Sequence, residues 1–141
     1  MGKYFLFVLS LCVISNVFGQ TTKYSASDSI KVNALIDSSK LYINTQPDSA
    51  IALANQAKEL ARDINFRKGE ALAIKNIGLV YYYQGKFIQT LQYWNQSLQI
   101  LQAINDDLGQ ANLQGNIGAV FFAQGDEVMA LQHHLESLKF A

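Results

Sequence analysis

The groups best equipped for chemistry in this chain are His133 and His134, Cys12, and the carboxylates Glu70, Asp106, Asp107, Asp126 and Glu127. Clustered imidazoles hold metals or move protons, a thiolate is a nucleophile, and paired carboxylates act as acid and base. None of these groups falls at a productive spacing. Adjacent histidines on a helix point about 100 degrees apart, and no spaced partner completes a metal site. The carboxylates stand at expected helix ends, where capping and helix-terminal charge account for them. No glycine-rich phosphate loop follows a strand, and no nucleophile elbow is present. The sequence therefore predicts no catalytic residues, no metal and no cofactor.

Charge narrows the field further. Eleven basic and 11 acidic side chains leave the 141-residue chain with zero formal net charge. That balance gives no electrostatic footprint for nucleic acid or a polybasic membrane surface.

The elements that position these residues are helical. From Ile30 the apolar pattern has helix spacing through Ala34, Leu35, Leu41 and Tyr42, and Asn44-Thr45-Gln46-Pro47 breaks it. Pro47 suits the first turn of the next helix, where its missing amide hydrogen has no intrahelical acceptor. Ala50, Ile51, Leu53, Ala54, Ala57, Leu60, Ala61 and Ile64 continue at the same period. Further on, Gln84-Gly85-Lys86 and Gln124-Gly125-Asp126 turn the chain, and Asn105-Asp106-Asp107 offers caps to a following helix.

One phrase is spoken twice. Gly69-Glu70-Ala71 through Asn76-Ile77-Gly78 returns forty positions later as Gly109-Gln110-Ala111 through Asn116-Ile117-Gly118, and Ser97-Leu98 returns as Ser137-Leu138. A fixed period of this size marks stacked repeats rather than one globular core. Glycine inside a helix is unfavourable by about 0.5–1 kcal/mol relative to alanine. Two glycines at one repeat phase therefore point to close helix packing.

These residues resemble a tetratricopeptide repeat array of about forty residues per unit. The family's alternation of small and large side chains falls on Ile77, Gly78, Tyr81, Thr90, Trp94 and Ser97. In the next unit it falls on Ile117, Gly118, Phe121, Ala130, His134 and Ser137. In the first unit Leu41, Ala50, Ala54 and Ala57 fit, while Asp37 and Ser38 occupy the places of the aliphatic and the glycine. The resemblance implies an all-α, right-handed superhelical stack of antiparallel helix pairs over 30–141, with units at about 30–67, 68–107 and 108–141. Ile77, Gly78, Tyr81, Trp94, Ile117, Gly118 and Phe121 are its expected packing residues, and His134 shares a packing phase.

It also implies a protein- or peptide-binding groove lined by the first helix of each pair. By repeat phase that groove holds Lys75, Leu79, Tyr82 and Tyr83, then Asn112, Gly115, Asn116, Ala119, Phe122 and Ala123, with Ser39 and Tyr42 from the first unit. Such a mixed aromatic and polar surface suits an extended or helical segment of a protein partner. Asn76 and Asn116 have two readings, as contacts to a peptide backbone or as local ties between helices. A carboxylate clamp is disfavoured, because Leu79 stands where an amide belongs and further basic residues are missing.

The first twenty residues are a separate object. Lys3, the mostly apolar stretch Tyr4 to Val17, and Val17-Phe18-Gly19 read as a secretory signal peptide over 1–19, followed by a flexible leader over 20–29. Leu11 ahead of Cys12 departs from a lipidation motif. The sequence thus predicts an exported, periplasmic or extracellular interaction module whose repeat region does not insert in a membrane. The alternative is the sensory input region of a larger signalling protein, such as a histidine kinase, nucleotide cyclase or membrane-linked transcription regulator. The repeat breaks off inside its last helix, leaving an uncapped end suited to self-association.

Overall fold

The computed structural model describes residues 25–140, which form six α-helices: α1 (Ala26–Tyr42), α2 (Pro47–Asp63), α3 (Arg67–Tyr83), α4 (Phe87–Ala103), α5 (Asp107–Ala123) and α6 (Glu127–Leu138). Among the described residues there is no strand. The expected signal peptide over 1–19 lies outside them. Turns of three or four residues fold each helix back on the last, so α1 packs on α2, α3 on α4 and α5 on α6. Each pair then stacks on the next through α2 against α3 and α4 against α5.

The turns share one device. Asn65, Gly85, Asn105 and Gly125 all hold positive φ, at 58°, 68°, 53° and 79°. In each, the following amide reaches back five residues: Phe66 to Ala61 O at 2.7 Å, Lys86 to Tyr81 O at 2.9 Å, Asp106 to Leu101 O at 3.0 Å, Asp126 to Phe121 O at 2.9 Å. This left-handed closure satisfies helix-end carbonyls, and asparagine or glycine adopts it at least strain. Asp106 and Asp126 then cap α5 and α6, each Oδ1 accepting from the amide three residues on at 3.0 Å.

The first turn departs from this pattern. The starts of α1 and α3 are forty-one positions apart, whereas those of α2 and α4 are forty apart. The additional residue lies in the Ile43–Gln46 connection, where no positive φ occurs. It corrects the register of the first unit. Ile36, 3% exposed, takes the place of Ile77, and Asp37 alone falls at the glycine position. Leu41, which fits a strict forty-residue phase, is 77% exposed. Ser39, expected in the groove, is fully buried and donates to Ala50 O at 3.0 Å. One residue of slip rotates a helical side chain by about 100 degrees, so a phase carried across that turn selects the wrong face. Of the leader expected over 20–29, the described part is helical from Ala26, where α1 begins with Ser25 accepting from the Asp28 amide at 3.2 Å.

The largest core cluster joins the second and third units through Ile74, Trp94, Leu98, Leu101, Leu113 and Ile117. A smaller one, with Val32, Ile36, Ala57, Ala61 and Ala73, joins the first and second. Here α2 contributes small residues, which let α1 and α3 approach each other. Asn76 Nδ2 bridges that approach, donating to Ile36 O at 3.0 Å in a buried site. Ion pairs centred on Glu70 and Asp106 reinforce the stack. Glu70 is 3% exposed, held by Arg62 at 3.1 Å and by Arg67. Lys68 Nζ reaches forward to Asp106 Oδ2 at 2.8 Å. Glu70 is thus a tie between α2 and α3, more than a helix-end charge.

Candidate binding surface

The packing positions repeat as matched pairs. Ile77 and Ile117 are each 1% exposed. The indole of Trp94 covers Gly78, where a methyl would lie 2.6 Å from Nε1. His134 covers Gly118 the same way, with Cε1 2.9 Å from where a methyl would sit. Tyr81 stacks on Tyr93 with centroids 5.4 Å apart and planes 9° apart, and Phe121 stacks on His133 at 5.2 Å and 5°. Ser97 and Ser137 donate to Ala71 O and Ala111 O, both at 2.8 Å. Burial pushes the His133 imidazole below its usual pKa, and Nδ1 donates to Gln114 Oε1 at 2.8 Å.

The proposed groove positions are less uniform. Leu79 is half-buried, packed against two core clusters. Tyr82 stacks on Trp94 at 5.7 Å and tilts against Phe87 at 6.0 Å, so most of its ring is committed to its own helix pair. Phe122 stands forty positions on from Tyr82, and yet it is 66% exposed. The reason is local: Glu127 and His134 replace Phe87 and Trp94, so no apolar shelf receives the ring. Tyr83 is 59% exposed, its ring edge-on to Tyr82 at 5.7 Å. Asn112 is exposed, Asn116 and Ala119 are half-buried, and Tyr42 is exposed at the end of α1. Lys75 is half-buried, and burial first, then nearby Lys40, pushes its amine below the usual lysine range. Its carbonyl accepts from Trp94 Nε1 at 3.0 Å, so α3 is anchored to α4 at the centre of the surface.

A recess of about 630 Å³ opens elsewhere, between α2 and α4. Gln92, Gln96 and Gln99 line it with Tyr81, Tyr93 and Lys58. These amides share one exposed face of α4 at helical spacing, a signal present in the sequence but outside the groove positions singled out there. Among the described residues, no group of three or more His, Cys, Asp or Glu is arranged to hold a metal, and no helix is long and apolar enough to cross a membrane.

Comparison with known proteins agrees with this geometry. The tetratricopeptide repeat profile matches residues 69–141. Among solved structures, the crystal structure of the tetratricopeptide repeat domain of FLU from Arabidopsis aligns with a TM-score of 0.69. It is 22% identical, and the alignment covers 79% of this chain and 95% of that one. At that identity the likeness is one of fold. No curated protein matches the chain.

Proposed function

Because the chain belongs to the tetratricopeptide repeat family, whose members typically mediate protein–protein interactions, we propose that it is a non-catalytic module holding a peptide or helix of a protein partner along α3 and α5. The observation that carries this reading is the pair Tyr83 and Phe122. Both are large aromatic side chains, more than half exposed, in the last turns of the two first-of-pair helices. Aromatic side chains of this kind dominate the energetics of protein interfaces. Lys75, Leu79, Tyr82, Asn112, Asn116 and Ala119 surround them in the reading: the amides set register by pairing with a peptide backbone, and Leu79 and Ala119 add apolar floor.

A random peptide library displayed on phage tests it. The wild-type chain is expected to enrich aromatic or aliphatic motifs, and the variant carrying Tyr83→Ala and Phe122→Ala to lose at least about tenfold in affinity for the enriched peptides. Both rings are exposed, so circular dichroism of the variant is expected to match wild type. Undiminished binding by a folded variant would rule the groove out.

The same reading places the module outside the cytoplasm, on the strength of Lys3, the apolar stretch Tyr4 to Val17 and Gly19. N-terminal sequencing of protein recovered from an exporting bacterial host is expected to begin at Gln20. A chain retaining Met1 to Gly19 in the cytoplasm would refute export.

A further inference from the structure

The last described helix, α6, carries an apolar strip that the earlier helices of its kind do not. Val128, Leu131, Leu135 and Leu138 are 78%, 60%, 53% and 69% exposed. Their spacing of three, four and three places all four on one helix face. Leu131 and Leu138 are counterparts of Leu91 and Leu98 on α4, which belong to the core shared with α5. Repeat packing therefore accounts for those two. It does not account for Leu135. The same position is Asn55 on α2 and Asn95 on α4, and Asn95 stays exposed where α5 covers its neighbours. Leucine at that position widens the strip beyond what another stacked helix pair requires.

We propose that this strip is a self-association surface, closed by α6 of a second copy of the chain in an antiparallel pair. The spacing reads identically in both directions. A two-fold axis at the level of His133 sets Val128 against Leu138 of the second copy and Leu131 against Leu135 of the second copy, so every apolar residue meets an apolar one. This is the self-complementarity that a two-fold interface demands. The antiparallel sense also opposes the two helix dipoles favourably. It sets Asp126 and Glu127 at the start of α6 beside the end of the second copy's helix, where Lys139 pairs with Glu136 and no like charge is left uncompensated.

Leu108, 68% exposed, extends the strip. It stands forty positions beyond Lys68, whose side chain reaches forward along the stack to Asp106, and so lies toward the same end. Among the described residues, a head-to-tail arrangement lacks a matching surface. On α1, at the opposite end, the exposed Ile30 and Leu41 are separated by exposed Lys31, Asn33, Asp37 and Lys40.

Sedimentation velocity of the full chain over a concentration series tests the proposal. A strip one helix long is a small interface, so a dimer constant on the order of 10 µM is expected. Leu135→Asn, which restores the residue of α2 and α4, is expected to weaken it at least about tenfold with unchanged helicity. Leu41→Asn, at the far end, is expected to leave it unchanged. In a Cys12→Ser background, mixing Leu131→Cys with Leu135→Cys chains is expected to give mainly the mixed disulfide. A wild-type chain monomeric through roughly 300 µM would assign the strip to another occupant and overturn the proposal. So would a dimer indifferent to Leu135→Asn, or a cross-link dominated by like pairs.

Discussion

Trp94 lies over Gly78 so closely that the two residues form one packing unit. The indole Nε1 donates to Lys75 O at 3.0 Å, and a methyl at Gly78 would sit 2.6 Å from that nitrogen. Trp94 is 2% exposed and has no open space to retreat into. Gly78→Ala is therefore expected to destabilise the chain by about 1–3 kcal/mol through overpacking, outweighing the gain in helix propensity. Urea unfolding measures it. A variant as stable as wild type would show that the indole shifts freely.

Gly85 makes the opposite case. Its φ is 68°, and an added Cβ would meet nothing within 4 Å. Gly85→Ala is expected to lose about 1–2 kcal/mol from the backbone alone. Gly85→Asn should lose less, because Asn65 and Asn105 hold the same conformation in neighbouring turns. Equal losses for the two variants in thermal unfolding would contradict this account.

Acid should weaken the fold in two stages. Burial lowers the His133 pKa below 6.5, with Glu136 opposing and His134 assisting, so the folded state favours the neutral ring. That contribution is complete above the ordinary value and is lost as pH falls from 6.5 toward the lowered one. Melting temperature is expected to drop as pH falls below 6.5, with the drop reduced in His133→Gln. An unchanged slope in that variant would assign the transition to another group.

The second stage belongs to Asp106. The hydrogen bond from Lys68 holds its pKa below 3.8, helped by the Gly109 amide and opposed by burial. Its contribution is present above 3.8 and is lost as pH falls through the depressed value. Asp106→Asn is thus expected to destabilise the chain at neutral pH and to have a smaller effect near pH 3. The reverse order would exclude the ion pair as the cause.

The sequence by itself determined the six helices, most of their turns and the Ile-Gly packing phase. These features rest on interactions close along the chain: helical periodicity, caps and the left-handed preference of asparagine and glycine. The turns at Gly85 and Gly125 were legible in the same way, whereas Asn65 and Asn105 showed their left-handed backbone only in the structure.

Tertiary structure alone decided which way the remaining side chains were spent. Tyr82 and Phe122 share a repeat phase and a chemistry, but only Tyr82 has Trp94 and Phe87 to lie against. Ser39 left the groove for the interior because one additional residue in the Ile43–Gln46 turn rotated α1 relative to the repeat. Glu70 became a buried tie because Arg62 on the preceding helix and Arg67 in the same turn both reach it. Each outcome depends on a neighbour across a helix interface, and burial there is set by packing partners rather than by the residue's own period along the chain.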